Sequence, residues 1–386
     1  MITSFVFLIL RFNEFNENWN QYFLKDVIQS FINGQTPSRN NDSYWNGDIP
    51  WVSSGELNYN FINSTIEQIT KEGKDNANLK LLSPGTFLMA ITGLEASGTR
   101  GSCAILGIES TTNQSCMALI PKKDKLCTQF LYCWYLKVGE HYGIKYTQGT
   151  KQQSYNKELL EKLPITIPNL NEQDKITKFL SSVNHKIDLL EEKHEMYQDF
   201  KKYLMQQIFT QNLRFDFDKE WENIRLKDFL KSSSSSLSLN DLEENHGEYG
   251  LYGATGIVKL INFYEKTEPY LSIVKDGAGV GRIFLCEPNT SIVGTMQYLT
   301  PKEGVDLEFS YYLLNTIEFR KYVVGSTIPH IYFKDYSKEK LLVPQIEEQQ
   351  EIASILSNID NKLNLIQDRI NHMGQFKKGL LQQMFV

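Results

Sequence analysis

The chain reads as an α/β (α+β) protein. Two similar globules are separated by two long helices that form an antiparallel coiled coil, and a pseudo-two-fold internal repeat relates the halves. Three observations predict this. A segment at residues 168–209 recurs at 344–385, offset by 176 without a gap. Both copies carry apolar residues on a heptad seam. The same order of strands, glycine loop and aromatic helix precedes each copy.

Taken in order, the first globule occupies residues 1–160. It has a strand at Gly85–Ala90, a glycine loop at Gly93–Gly101, a strand at Ser102–Ile108, a strand ending at Pro121 and an aromatic helix at Phe130–Leu136. Residues 161–213 hold the central spacer helix. The second globule, 214–337, repeats the series at Tyr270–Val274, Lys275–Gly281, Arg282–Cys286, a strand ending at Pro301 and helix Phe309–Leu314. Residues 338–386 are the C-terminal spacer helix. Arg11, Trp19 and Leu24-Lys25-Asp26 are echoed by Arg214, Trp221 and Leu226-Lys227-Asp228, and Gly149 by Gly325.

Of 42 aligned helix positions, 15 are identical, among them Pro168, Glu172, Gln173, Lys201, Lys202 and Phe209. Each copy starts just after a proline, with acidic residues in the first turn that suit the helix dipole. The seam runs through Ile176, Leu180, Val183, Ile187, Leu190, Tyr197, Leu204 and Ile208. In the second copy it runs through Ile352, Leu356, Ile359, Leu363, Ile366, Ile370, Met373, Leu380 and Met384. It breaks at His194 and at Lys201/Lys377, where Phe200 and Phe376 are expected to carry the packing. A helix of about 38 residues spans about 57 Å. A seam this long wants a partner helix, and each copy can supply the other.

Composition bounds the function. The 386 residues are 41% hydrophobic and 22% charged, ordinary for a folded chain of two or more domains. Five cysteines form no CxxC pair, against a zinc ribbon or disulfide scaffold and in keeping with the reducing cytoplasm. The apolar start, residues 1–10, is too short to span a bilayer and reads as a buried strand or an upstream-start artefact. No region is a basic block: residues 1–160 set 14 Lys+Arg against 14 Asp+Glu, and residues 214–337 set 13 against 18. Charge alone therefore argues against strong autonomous nucleic-acid binding.

The motifs point elsewhere. Gly34-Gln35-Thr36-Pro37-Ser38-Arg39, then Tyr44-Trp45 and Gly47-Asp48-Ile49-Pro50-Trp51-Val52-Ser53, resemble the opening of a target recognition domain. The family is the DNA-specificity subunits of type I restriction-modification systems. Tyr252–Gly256, Val274–Gly281, Gly325–His330 and the helix opening Pro344…Glu348-Gln349-Gln350 resemble its second half. The resemblance covers nearly the whole chain from about Arg11; the stretch before that does not resemble the usual family start. It implies two target recognition domains and no catalytic activity of this chain's own. Each domain would read half of a bipartite, asymmetric site in double-stranded DNA, on roughly one face about one turn apart, with the helices fixing the unread spacer. It also implies partners: two modification subunits that methylate adenine with S-adenosylmethionine, and two restriction subunits that use ATP and Mg. No cofactor is expected on this chain, and no membrane.

The chemistry agrees. There is no Asn/Asp-Pro-Pro-aromatic methyltransferase motif and no GxxxxGK[ST] loop. Gly277–Gly281 reads as a turn between strands. Glu191-Glu192-Lys193 reads as a solvated coiled-coil face rather than a nuclease motif. The six histidines show no metal spacing, and Ser232–Ser236 reads as a flexible loop. Amides, Arg/Lys and hydroxyls on loops are the groups that read bases or position phosphates. In the first globule these are Arg39, Ser53, Ser54, Thr92, Arg100, Asn113, Gln114, Lys151, Gln152 and Gln153. In the second they are Tyr252, Thr255, Lys275, Asp276, Arg282, Gln297, Thr327 and His330. Trp45 and Trp51 are expected to build the fold, and Lys201-Lys202 with Lys377-Lys378 to face solvent, DNA or a partner. The alternatives are the specificity subunit of a related system with a fused methylase-nuclease, a coiled-coil adaptor that binds proteins, and a metal-dependent nuclease. No target sequence is legible.

Overall fold

The computed structural model describes residues 10–95, 98–147, 153–242 and 244–385. The start before Leu10, Gly149, Lys151 and Gln152 lie outside the described residues. The chain forms two compact units: the described residues of Met1–Leu189 with Ile370–Val386, and those of Leu190–Arg369.

In the first unit a five-stranded sheet runs in the order Ile28–Asn33, Cys116–Pro121, Phe87–Ala90, Cys103–Leu106, Asn60–Ile62. A three-stranded sheet centres on Trp45–Val52, antiparallel to Glu67–Ile69 and parallel to Thr111–Thr112. Strand Asn20–Phe23 pairs with Pro164–Ile167 just before the first long helix. The second unit repeats each piece. Its four-stranded sheet runs Leu230–Ser234, Met296–Pro301, Tyr270–Val274, Ile283–Cys286. Its three-stranded sheet centres on Tyr249–Gly253, antiparallel to Gly256–Ile261 and parallel to Ser291–Ile292. Glu222–Arg225 pairs with Lys340–Val343. The first unit adds an edge strand, Asn60–Ile62, and a short helix, Lys71–Asn76. Its aromatic helix, Thr128–Lys145, is longer than its counterpart Leu307–Leu314.

The long helices run unbroken over Leu170–Phe209 and Ile346–Met384. In the first unit Ile176, Leu180 and Val183, at the start of one helix, share a core with Leu380, Met384 and Phe385 at the end of the other. In the second unit Leu204 and Ile208 share a core with Ile352, Ala353 and Leu356. Each unit thus pairs a helix start with a helix end, as an antiparallel seam requires.

A repeated polar staple anchors each helix start. Glu172 is fully buried; Trp19 Nε1 donates to its Oε1 at 3.1 Å and Arg11 donates to both of its oxygens at 2.7 Å. Glu348 is also fully buried, accepting from Trp221 Nε1 at 3.0 Å with Arg214 at 3.7 Å. Gln173 accepts from Cys127 N and donates to the Lys125 and Pro168 carbonyls. Gln349 accepts from Asp306 N and donates to the Gly304 and Pro344 carbonyls. The acidic residue of the first turn is therefore more than a dipole partner. Below the staple, Trp19, Phe130 and Phe385 form one cluster of rings, and Trp221, Phe309 and Phe209 form its twin.

Three expectations are corrected. Phe200 and Phe376 do not fill the seam breaks; each is 50% exposed. Lys201 turns inward instead. Its ammonium reaches Asp360 Oδ1 at 2.5 Å and lies over the Tyr312 ring, while Tyr312 donates to Asp360 Oδ2 at 2.7 Å. A lysine stem packs on apolar surface when its charge finds a partner. Nor is the serine run a free loop: Ser232, Ser233 and Ser234 pair with Leu299, Tyr298 and Gln297. Glu191, Glu192 and Lys193 are exposed, as expected.

Glu348→Ala removes the carboxylate that accepts from the buried Trp221 indole, so it should destabilise the second unit by about 1–3 kcal/mol; urea unfolding followed by tryptophan emission measures it. Burial disfavours the thiolate and raises Cys103, Cys116, Cys133 and Cys286, the last two to about 12. All four should resist a disulfide-exchange reagent at pH 8 in the native protein and react after unfolding.

Candidate nucleic-acid interface

A rim of polar side chains crosses the strand ends of the first unit. Asn113 N donates to the Val52 carbonyl at 2.9 Å, fixing the turn after Thr111–Thr112 beside Ser53. Ile91 N then donates to Ser115 O, and Tyr155 N to Ile91 O, each at 2.8 Å. Thr92 bridges to Ser154. Gln153 N donates to Glu95 Oε2 at 2.9 Å, and Arg100 Nη2 to the Glu95 carbonyl at 3.1 Å. Ser53, Asn113, Gln114, Thr92, Gln153 and Arg100 are thus brought into one line. Arg100 packs closely on Gly143, where a Cβ would lie 3.3 Å from Arg100 Cβ and Cγ and the arginine side chain would have to give by a few tenths of an ångström. Ser53 caps the turn Ser54–Glu56: its N and Oγ both donate to Glu56 Oε2.

The second unit builds the same crossing. Val293 N donates to the Tyr252 carbonyl at 2.9 Å, Lys275 N to Thr295 O at 3.0 Å, and Ile331 N to Lys275 O at 2.9 Å. Asp276 bridges to His330, and Gly277 N donates to Pro329 O. Gly277 and Gly281 both have positive φ, so the glycine loop turns where a side chain would strain. Arg282 Nη1 donates to the Ala254 carbonyl at 2.6 Å, tying that loop to the hairpin tip that carries exposed Thr255. Lys275, Asp276, Arg282, Thr255 and His330 come together, with exposed Thr327 on the segment leading to His330.

Two candidates point away from this rim. Tyr252 is 8% exposed and lies in the core with Leu251, Tyr270 and Tyr298; burial pushes its phenol up. Gln297 sits mid-sheet between Ser234 and Ile273 and accepts from the Tyr336 hydroxyl at 2.9 Å. Trp51 is buried and Trp45 half-buried, their indoles donating to the Gln35 and Ser38 carbonyls, so both build the fold.

Arg39 is exposed but engaged. Its guanidinium lies 3.7 Å from the Trp45 ring centre and forks onto both Glu67 oxygens. Reading from sequence missed Glu67, Glu95 and Ser154, and the contact of Thr36 Oγ1 with Gln114 Oε1. A second register held a signal. Thr111-Thr112-Asn113-Gln114-Ser115-Cys116-Met117 and Ser291-Ile292-Val293-Gly294-Thr295-Met296-Gln297 align at offset 180, the offset at which the strands superpose. Among the described residues no group of three His, Cys, Asp or Glu could hold a metal ion, and no helix is long and apolar enough to cross a membrane.

A duplicated α/β head with a variable polar rim, each followed by a long helix, defines a bipartite recognition protein. The model of the type I restriction modification DNA specificity domain matches residues 16–196 and again 218–373. The type I restriction enzyme MjaVIII specificity subunit of Methanocaldococcus jannaschii is 24% identical, over 95% of this chain and 91% of that protein. The S subunit of the type I restriction-modification system from M. genitalium superposes with a TM-score of 0.64 at 17% identity, covering 98% of each chain. A second solved chain, from work on complex assembly and conformational transition of the type I R-M system, gives 0.57 at 15% identity, over 96% of this chain and 98% of that one. The chain belongs to the type I restriction modification DNA specificity family, and its function is DNA specificity in such a system.

Arg39 holds the Glu67 carboxyl below the usual glutamate range, first through their hydrogen bonds. A depressed carboxyl contributes above its unfolded pKa, about 4.3, and is lost as pH falls through the lower folded value. A carboxyl-carbon NMR titration should place Glu67 below an unperturbed glutamate, and Arg39→Ala should move it up.

Proposed function

We propose that this chain selects the DNA site for a type I restriction-modification complex by reading a bipartite, asymmetric sequence, one half per unit. The observation that carries this is the rim built twice on one backbone path with different side chains: Thr92 against Asp276, Ser154 against His330, Asn113-Gln114 against Val293-Gly294. One scaffold with two sets of reading groups suits one protein that reads two different half-sites on DNA.

The chain contributes recognition and the partners contribute chemistry. Two modification subunits would flip and methylate adenine with S-adenosylmethionine. Two restriction subunits would supply ATP- and Mg-dependent translocation and cleavage in the cytoplasm. One solved relative comes from work on the assembly of such a complex, which supports the partnership. The long helices set the unread spacer, because a continuous helix advances a fixed 1.5 Å per residue.

The test is to co-express the chain with its neighbouring modification subunit in a methylation-free host and map adenine methylation by long-read sequencing. A split motif with a fixed spacer is expected. No new methylation from a stable complex would overturn the reading in favour of a protein-binding adaptor. One heptad inserted at matching positions of both helices adds about 10 Å. It should lengthen the spacer by up to about three base pairs, at 3.4 Å each, and leave both half-motifs unchanged.

A further inference from the structure

The second unit serves as an internal control for the first, and it singles out one side chain. The turn Asn113-Gln114-Ser115 and the turn Val293-Gly294-Thr295 follow one backbone path. In each, the first residue donates to the centre of the three-stranded sheet, at Val52 O or Tyr252 O. In each, the third residue accepts from the strand leading to the glycine loop, at Ile91 N or Lys275 N. In each, a chain-reversing bond closes the turn, Cys116 N to Asn113 O or Met296 N to Val293 O. Gly294 makes this turn without positive φ, and a Cβ there would meet nothing closer than 3.4 Å. Backbone geometry therefore requires neither glycine at 294 nor glutamine at 114.

Gln114 is exposed, and its amide is nevertheless oriented. Thr36 Oγ1 donates to its Oε1 from the segment that follows Ile28–Asn33. Gln35 N, next to Thr36, donates to Thr112 O at 3.0 Å, so the segment and the turn are held together. A glutamine oxygen has two lone pairs and its nitrogen two donors. With one lone pair taken by Thr36, one acceptor and both donors remain. That is the set that pairs with N6 and N7 of adenine in the major groove. Fixing the amide beforehand removes rotamer entropy that a free surface glutamine would lose on binding.

We propose that Gln114 is a specificity-determining residue of the first unit, reading an adenine of its half-site, and that Thr36 is its positioning residue. This rests on the DNA-reading function above. Gln114→Gly installs the residue that the same turn carries in the second unit, so folding should be kept, and thermal unfolding checks it. In the methylation assay, Gln114→Gly should make one A·T position of the first half-motif degenerate, lowering discrimination there by roughly 5- to 150-fold. The second half-motif and the spacer should not change. Thr36→Val should lower the methylation rate at the cognate site with a weaker preference at that same position, and Thr36→Ser should restore both. Wild-type discrimination in Gln114→Gly would overturn the proposal, as would an equal loss at both halves or degeneracy at a G·C position. Absence of any split motif with the wild-type chain would instead overturn the function on which it rests.

Discussion

A buried carboxylate at each helix start needs partners, and this fold brings the same residue types to it twice, more tightly at Glu172, whose two oxygens both accept from Arg11, than at Glu348, where Arg214 stands 3.7 Å away. Glu172 and Glu348 are fully enclosed, where an unpaired charge would be prohibitive. Each is paired by an indole N–H and an arginine from the segment that begins its own half. The glutamine that follows each one joins two loop carbonyls and the first N–H of the turn that starts the aromatic helix. Strand pair, aromatic helix and long helix thus meet in one hydrogen-bonded knot. The ring cluster of Trp19, Phe130 and Phe385, or Trp221, Phe309 and Phe209, packs beside that knot.

That constraint separates what must stay from what can change. The staple, the ring cluster and the crossing of the strand ends recur in both units, because each engages buried backbone, charge or rings. The rim side chains differ because solvent satisfies them. Extra elements such as Asn60–Ile62 and Lys71–Asn76 attach at sheet edges and outside the knot, where added chain length costs little closure entropy. A scaffold divided in this way can vary its reading groups without refolding.

The same division decides what the sequence discloses. The seam residues Ile176, Leu180, Ile352 and Leu356 were legible because burial forces apolar identity at fixed spacing. Strand Tyr270–Val274 and the glycine loop after it were legible through β-branched residues and turn chemistry. The inward turn of Lys201 was not, because its partners Asp360 and Tyr312 lie far away in sequence. At the rim, the glycine loops and the candidates Asn113, Gln114, Lys275 and Arg282 could be read off as polar loop residues. Tyr252 and Gln297 could not be told from them, since residue type alone does not say which face of a strand points inward.

Charge then completes the physical picture. The chain is net −6, and two of its candidate cations stand beside carboxylates: Arg39 on Glu67, Lys275 near Asp276. Such pairs weaken phosphate attraction, the sequence-independent part of DNA affinity. What remains is the oriented part, amides and guanidinium groups held by neighbours that fix their direction. A recognition subunit made this way contributes discrimination more than grip. Weak grip and good discrimination are compatible in a two-headed reader, because linking two modest binding events raises overall affinity without new contacts.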